Sequence, residues 1–455
     1  MRRPFRLTLA TTTVASLACG PLCLPAGAAT AATPATRAVA ADDFNGDGYR
    51  DYASASWAAA GGAVRVVFGT AHGPGTASQT IDQDSPGVPG ADEPDDMFGE
   101  VRAAADFNRD GYGDLAVAAR GEKVNGREYQ GAVTILWGSR KGLSGGTSLP
   151  SKAAPQSYAY FGTDLAAGDF NGDGRPELAA INAGETYVYQ GTFSRNGITG
   201  PVAHPDRSNH FAAHLIAGRV TKDKATDLVV IGQAAFPGTR TEGNAWFLKG
   251  GAKLTSGKVL KVNSADFHVG DGLIADFDKD GYGDIAIGNP DDAKGRGAVT
   301  VWRGGAQGPT TAARLTQATA GIPGTPEPED SFGASLSAGD INHDGYADLA
   351  IGAYGEKFDD KAYAGAVHVL RGRPGGLSGS GSQFFTRVTP GMPRLPDSED
   401  SFGATVRLRD TDRDGYADLF VTSTGGALRL PGSAAGLTTA GVTSVDPDVV
   451  DGFLQ

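Results

Sequence analysis

The sequence predicts an all-β fold, a seven-bladed β-propeller of four-stranded antiparallel blades. Three observations predict it. One short acidic segment recurs seven times along 455 residues. The stretches after it alternate at period two and are rich in β-branched residues. Gly (68) and Pro (25) are plentiful while aromatic residues make up only 8%, which fits many short strands joined by tight turns. A hydrophobic content of 40% is too high for a disordered chain.

The seven segments begin at residues 43, 106, 169, 219, 276, 340 and 410, so successive starts lie 63, 63, 50, 57, 64 and 70 apart. That period suits a four-stranded blade with loops of some length. Each unit reads alike. A short apolar lead-in comes first, often opened by Phe-Gly, as at Phe98-Gly99, Phe161-Gly162, Phe332-Gly333 and Phe402-Gly403. The acidic segment follows, then a strand such as Leu115-Ala116-Val117 or Ile285-Ala286-Ile287. A second strand opens at Gly131, Gly297 or Gly365 with Gly-Ala-Val. The small residues suit inner strands that crowd towards an axis.

Within the acidic segment, positions 1, 3, 5 and 9 offer side-chain oxygen and position 7 a backbone carbonyl. The candidate ligands are Asp43, Asn45, Asp47, Tyr49 and Asp51 in the first unit, and Asp106, Asn108, Asp110, Tyr112 and Asp114 in the second. The third offers Asp169, Asn171, Asp173, Arg175 and Glu177, and the fifth Asp276, Asp278, Asp280, Tyr282 and Asp284. The sixth offers Asp340, Asn342, Asp344, Tyr346 and Asp348, and the seventh Asp410, Asp412, Asp414, Tyr416 and Asp418. Gly at position 6 lets the chain turn round an ion. Hard oxygen ligands in this number suit calcium better than magnesium. With no sulfur in the segments and only 7 histidines in the chain, zinc and copper are disfavoured. An EF-hand would need a bidentate Glu at position 12 and flanking helices; here the acid stands at position 9 and a strand pattern follows. Surface Asx turns are the bland alternative, but three or four acids in nine residues, six times over, would repel without a cation. About six structural Ca2+ ions are therefore expected. The fourth unit departs from the rule, with Arg219 and Thr221 at positions 1 and 3 and Ala225-Thr226 further on. It is expected to hold no ion, with Arg219 pairing to Asp223 or Asp227.

These units resemble FG-GAP repeats, the units of the seven-bladed propeller of integrin alpha subunits. The likeness runs over nearly all of the chain beyond its N-terminal segment. It implies the fold more sharply than the function, because such propellers serve receptors, lectins, lyases and accessory modules.

At the N-terminus, Arg2, Arg3 and Arg6 precede an apolar stretch from Leu7 to Pro25, and Ala26-Gly27-Ala28 supplies small residues at a cleavage position. The expected division is a secretion signal at 1–28, a linker at 29–37 and a propeller at 38–455. The C-terminal tail near 446–455 is expected to close the ring against Ala38–Asp42. Both cysteines, Cys19 and Cys23, fall in the signal, so the exported chain has no disulfide and metal is the candidate source of rigidity. The formal charge of −12 becomes −15 once the three arginines are removed, and six divalent ions would bring it near −3. Such a chain is not a nucleic-acid or anionic-membrane binder by charge.

The function expected is that of a secreted, monomeric, non-catalytic module, free or associated with the cell wall and without a membrane span. It would bind an extracellular protein or glycan through loops on a rigid scaffold. The alternative is a polysaccharide lyase-like enzyme with a site near the irregular fourth and fifth units, which hold His204, His210, His214 and His268.

Overall fold

A computed structural model describes residues 40–454 except 206, 208–209, 235–241, 265–269 and 394–397. The expected signal (1–28) and linker (29–37), together with His268, lie outside the described residues. Seven antiparallel sheets succeed one another along the chain, six of four strands and the first of three. The inner strands of blades 2 to 7 are Phe98–Ala105, Leu165–Gly168, His210–Gly218, Gly272–Ala275, Leu336–Gly339 and Val406–Arg409. Each packs beside the next in chain order, around one axis. The third blade is the least regular. Its outer strand is only Val202–Ala203, and a separate hairpin of Thr192–Ser194 and Gly197–Thr199 is inserted before it.

The second strands explain why their alternation reads as large and small rather than apolar and polar. Every residue of Asp114–Ala119, Asp284–Asn289 and Asp348–Ala353 is buried, because each sheet is covered on both faces by its neighbours. Leu, Val and Ile fill one interblade layer, and Ala and Gly let the next sheet approach.

The Phe-Gly pair makes the joint between blades. Phe98, Phe161, Phe332 and Phe402 are each at most 2% exposed, so each ring contributes about 1.5–3 kcal/mol by burial. Phe332 and Phe402 bridge Gly297 and Gly365 of the preceding blade. The glycines that follow, Gly99, Gly162, Gly333 and Gly403, hold φ of 98°, 93°, 96° and 96°. A Cβ there would meet the preceding blade, 2.4 Å from the Ala63 carbonyl oxygen at Gly99 and 2.4 Å from that of Ala366 at Gly403. Only glycine combines that backbone angle with so close an approach.

Among the described residues, the first blade has Tyr52–Ser56, Ala63–Thr70 and Gly73–Ile81, and no strand lies on the axial side of Tyr52–Ser56. The C-terminal tail lies there. A short helix, Pro447–Asp451, is capped by Asp446, whose side chain accepts from the Asp448 N–H, and starts on proline. After it, Ala53 donates to the Gly452 carbonyl at 3.1 Å and Ala55 to the Asp451 carboxylate at 3.1 Å. Phe453 sits edge-on to Tyr52 at 5.1 Å and against Phe420 of the seventh blade at 4.8 Å. The tail's bonds thus fall on Tyr52–Ala55, further along the first blade than Ala38–Asp42. That is the strand with an unpaired edge to cover. Among the described residues, no helix is long and apolar enough to cross a membrane.

Candidate functional site

Six of the seven acidic segments join the inner strand of a blade to its second strand, and the first leads into the equivalent second strand, Tyr52–Ser56, so they share one end of the propeller. Locally, each folds because its own side chains take the backbone N–H groups. In the first loop Asp43 accepts from Asp47 and Gly48 (3.1 and 2.9 Å), Asn45 from Asp47 (2.9 Å) and Asp47 from Tyr49 (2.9 Å). The second loop repeats this with Asp106, Asn108 and Asp110. The fifth and sixth do so with Asp276, Asp278, Asp280 and with Asp340, Asn342, Asp344. In the third loop Gly174 donates to Asp169, Asp173 to Asn171 and Arg175 to Asp173. In the seventh, Gly415 donates to Asp410 and Tyr416 to Asp414. Position-6 glycines have φ between 83° and 94°, the left-handed turn that points positions 1, 3 and 5 inward.

Position 9 is held more tightly than the others. One oxygen accepts from the N–H of position 2 or 3, as from Phe44 to Asp51 at 2.8 Å or Ile341 to Asp348 at 3.1 Å. The other accepts from a glycine beyond the third strand. The donors are Gly69, Gly138, Gly250, Gly304, Gly372 and Gly432, at 2.8–3.0 Å. Burial, augmented by the neighbouring loop acids, pushes Asp114 up to about 8, Asp51 and Glu177 to about 7, and Asp284 to about 6. Ionised carboxylates here are costly, and a cation among them would offset that cost.

The donor set fits a hard cation. Asp276, Asp278 and Asp280, and likewise Asp410, Asp412 and Asp414, bring three carboxylate oxygens within 4.8 Å of one another. One oxygen each of Asp169, Asp410 and Asp412 is buried without a hydrogen-bond donor. Such orphaned oxygens are anomalous unless something positive faces them.

Basic side chains complicate three loops, and the sequence reading missed them. Arg429 donates to Asp418 at 2.8 Å and also to Asp412, placing a guanidinium across positions 3 and 9 of the seventh loop. Arg303 pairs with Asp278 at 3.2 Å in the fifth. In the fourth, Lys249 lies 3.4 Å from Asp223, and Asp227 accepts from Thr221 and Gly250. The expected pairing of Arg219 with Asp223 or Asp227 is therefore replaced by Lys249, which reaches Asp223 from the end of the neighbouring third strand. Lys249 and Arg303 each directly precede the glycine that caps position 9, and that adjacency was a readable signal.

The loops are also tied to one another. The position-8 N–H of one loop donates to the position-1 carbonyl of the loop before it. Gly113 donates to Asp43, Thr226 to Asp169, Gly283 to Arg219, Ala347 to Asp276 and Ala417 to Asp340. Between the second and third loops this rung is missing for a covalent reason, since position 8 is Pro176 and has no N–H. Position 4 then lies over position 7 of the next loop. Lys222 sits 4.1 Å from the Tyr282 ring, Lys279 5.3 Å from Tyr346, and His343 5.9 Å from Tyr416. Arg413 lies 4.4 Å from Tyr49 and donates to the Gly48 carbonyl, which carries the pattern from the seventh loop to the first.

The opposite end opens into an axial mouth of about 480 Å³. Arg102, Asp164, His214, Asp271, Arg407 and Asp451 meet there. His214 lies 3.8 Å from Asp164, Arg407 3.6 Å from Asp271 and Arg102 3.1 Å from Asp451. The histidines of the irregular region do not converge. His204 stacks on Tyr187 at 4.5 Å and lies 3.4 Å from Glu185, and His210 packs edge-on to Trp246, its charged form disfavoured chiefly by burial. Among the described histidines of this region, only His214 lines the axial mouth.

Fold and repeated loop together define the class. The FG-GAP repeat family model matches residues 98–136, 161–194, 270–302 and 332–370, in blades 2, 3, 5 and 6. The chain carries FG-GAP repeats in a seven-bladed propeller and is homologous to integrin alpha chains over part of its length. Mouse integrin alpha-8 is 29% identical over 239 residues, 49% of this chain and 22% of that protein. Bovine phosphatidylinositol-glycan-specific phospholipase D is 31% identical over 147 residues, 31% of this chain and 18% of that protein. Integrin alpha-5 of Xenopus laevis is 38% identical over 96 residues, 21% of this chain and 8% of that protein. The chain thus spans about a fifth or less of these curated relatives.

Proposed function

We propose that this chain is a secreted propeller, residues 38–455 following a cleaved signal at 1–28, that carries about six structural calcium ions and binds an extracellular protein or glycan without catalysis. The observation that carries the reading is the division between its two ends. One end is a set of oxygen-rich loops, most of them laced to the next and occupied with holding the blades. The other presents long interblade connections, exposed aromatic rings and a polar mouth. The likeness to integrin alpha chains supports a binding or adhesion-type role.

Calcium would be held by positions 1, 3, 5, 7 and 9 of every loop but the fourth. It would supply positive charge to acids that burial otherwise disfavours. Its effect is rigidity in a ring without disulfides, because an ion that binds only the folded chain stabilises it by about 2.7 kcal/mol at a concentration 100 times its Kd. Calorimetric melting with and without chelator tests this. The melting temperature should fall in chelator, recover with calcium and recover far less with magnesium. Equal melting in chelator and calcium would overturn the metal reading. N-terminal sequencing of the exported protein should begin at residue 29.

A second reading has one observation in its favour, the His214–Asp164 pair in the axial mouth beside two arginines. A lyase-like enzyme would use such a base. A polysaccharide screen for unsaturated products, with His214→Ala as control, decides it.

A further inference from the structure

The joint between blades 2 and 3 and the joint between blades 6 and 7 are built on one backbone pattern. Tyr158 donates to the Glu128 carbonyl, Tyr160 to that of Tyr129 and Phe161 to that of Gln130, at 2.9, 3.0 and 2.9 Å. At the other joint Glu399, Ser401 and Phe402 donate to Ala362, Tyr363 and Ala364, at 2.9, 2.8 and 3.2 Å. The left-handed backbone is shared as well. φ is 58° and 49° at Tyr158 and Tyr160, and 65° and 51° at Glu399 and Ser401. A glutamate and a serine therefore satisfy this scaffold. Two tyrosines are not required by it, and bulky side chains are the less comfortable choice at such angles.

What the tyrosines create is an exposed aromatic surface. Tyr129 and Tyr158 stack at 5.5 Å with 20° between their planes, and Tyr160 lies 5.8 and 6.3 Å from the two. Tyr158 is 61% exposed and Tyr160 37%. The row continues across the third blade. Ala183 donates to the Ala159 carbonyl, Ala212 donates to that of Gly184, and Phe211, 59% exposed, packs on Gly184. Phe211 is the second residue of the inner strand, His210–Gly218, that also carries His214 of the axial mouth. Tyr363 at the other joint forms no such surface, since its hydroxyl donates to Glu329 at 2.7 Å.

We propose that this row and the adjoining mouth form a binding site for a neutral oligosaccharide. The site deepens the reading of the chain as a binding module and rests on it. A sugar ring has an apolar C–H face that covers an aromatic ring and a rim of hydroxyls that pairs with planar charged groups. The face provides both in sequence, tyrosines first and then His214, Asp164 and Arg407. Two of the mouth's pairs are longer than a good hydrogen bond, His214 at 3.8 Å from Asp164 and Arg407 at 3.6 Å from Asp271, and Arg407 Nε is buried without a partner, which leaves His214 and Arg407 to pair with hydroxyl groups. The 480 Å³ of the mouth matches the size of small-ligand sites. The acids of the mouth act against anionic polysaccharides.

The test is native electrophoresis in gels containing soluble glucan, xylan, mannan or glycol chitin, followed by calorimetric titration with hexasaccharides. Tyr158→Glu combined with Tyr160→Ser copies the other joint and should fold as the parent does, checked by its melting curve. At least one polysaccharide should retard the parent protein and a Tyr363→Phe control, and the double variant should lose about tenfold or more in affinity. Unchanged retardation of the double variant would overturn the site. So would retardation by none of the polysaccharides. If a peptide array then bound the parent, the saccharide assignment would fall while the binding-module reading stood.

Discussion

The described tail, 446–454, meets both the first and the seventh blades, and Phe453 stands at that contact. Replacing it by alanine tests the closure directly. Phe453 is 5% exposed, and its ring contacts Tyr52 of the first blade, Phe420 of the seventh and the Arg409 guanidinium, the last at 5.4 Å. Truncation removes roughly 100–150 Å² of buried apolar surface, worth about 3 kcal/mol at 25 cal/mol per Å². Two favourable ring pairs add about 0.5–1.5 kcal/mol. The expected loss is about 3–5 kcal/mol, the usual range for a buried Phe→Ala change. Urea unfolding at saturating calcium, followed by tryptophan fluorescence, measures it. A double-mutant cycle with Tyr52→Ala should show coupling, because the two rings meet across the closure. A loss below about 1 kcal/mol would refute the claim that Phe453 holds the first and last blades together.

Three further outcomes follow from the loops and their neighbours. Arg413→Ala should lower stability by about 1–2 kcal/mol through the lost Tyr49 contact and the bond to Gly48. Arg109→Ala should cost almost nothing, because position 7 of the next loop is Arg175 rather than a ring; equal effects in urea unfolding would dismiss the belt. Arg429→Gln removes the guanidinium that bonds Asp412 and Asp418. It should weaken the chelated protein yet raise calcium affinity at one site about tenfold in calorimetric titration. Glu356 is raised to about 7 by burial, with Asp330 beside it, from an ordinary 4.5. A raised carboxylate favours folding fully below about 4.5 and loses that contribution as pH climbs towards 7. Glu356→Gln should therefore gain about 1–2 kcal/mol on the parent at pH 7.5, after allowance for partial exposure, and nothing at pH 4. A constant difference across that range in urea midpoints would contradict the assignment.

The blades were legible because a period of about sixty residues is visible without contacts, and because Phe-Gly and the acidic segment fix its phase. The all-β class followed from the same repetition. What the sequence could not show was anything set by the neighbour in space. Arg429 lies 11 residues from Asp418 along the chain, yet its reach into the seventh loop depends on how the third strand returns beside the second. Arg219 was given the role that Lys249 takes, since adjacency within a segment is easier to read than adjacency across a sheet. The tail was expected against Ala38–Asp42, whereas the bonds it makes to the first blade fall on Ala53 and Ala55, in the strand whose axial edge no described strand pairs. The aromatic row escaped notice for the same reason: Tyr129 and Tyr158 are 29 residues apart and meet at 5.5 Å only because two blades do.

The fourth loop separates two roles that coincide elsewhere. It has lost the acid at position 1 and the Asn or Asp at position 3, yet it keeps Asp223 at position 5 and Asp227 at position 9, the latter fully buried and bonded to Thr221 and Gly250 as its counterparts are. Its Lys222 still covers Tyr282, and Arg219 still accepts from Gly283. Position 9 and the interloop rungs therefore belong to the architecture, whereas positions 1 and 3 are dispensable to it and available to the proposed ion. A blade without a cation can persist in this ring provided a lysine meets its remaining charge, as Lys249 meets Asp223. The proposed calcium would not set the path of the chain. It would remove the repulsion that the chain's own path imposes on the clustered acids, and its loss should soften those loops before it opens the blades.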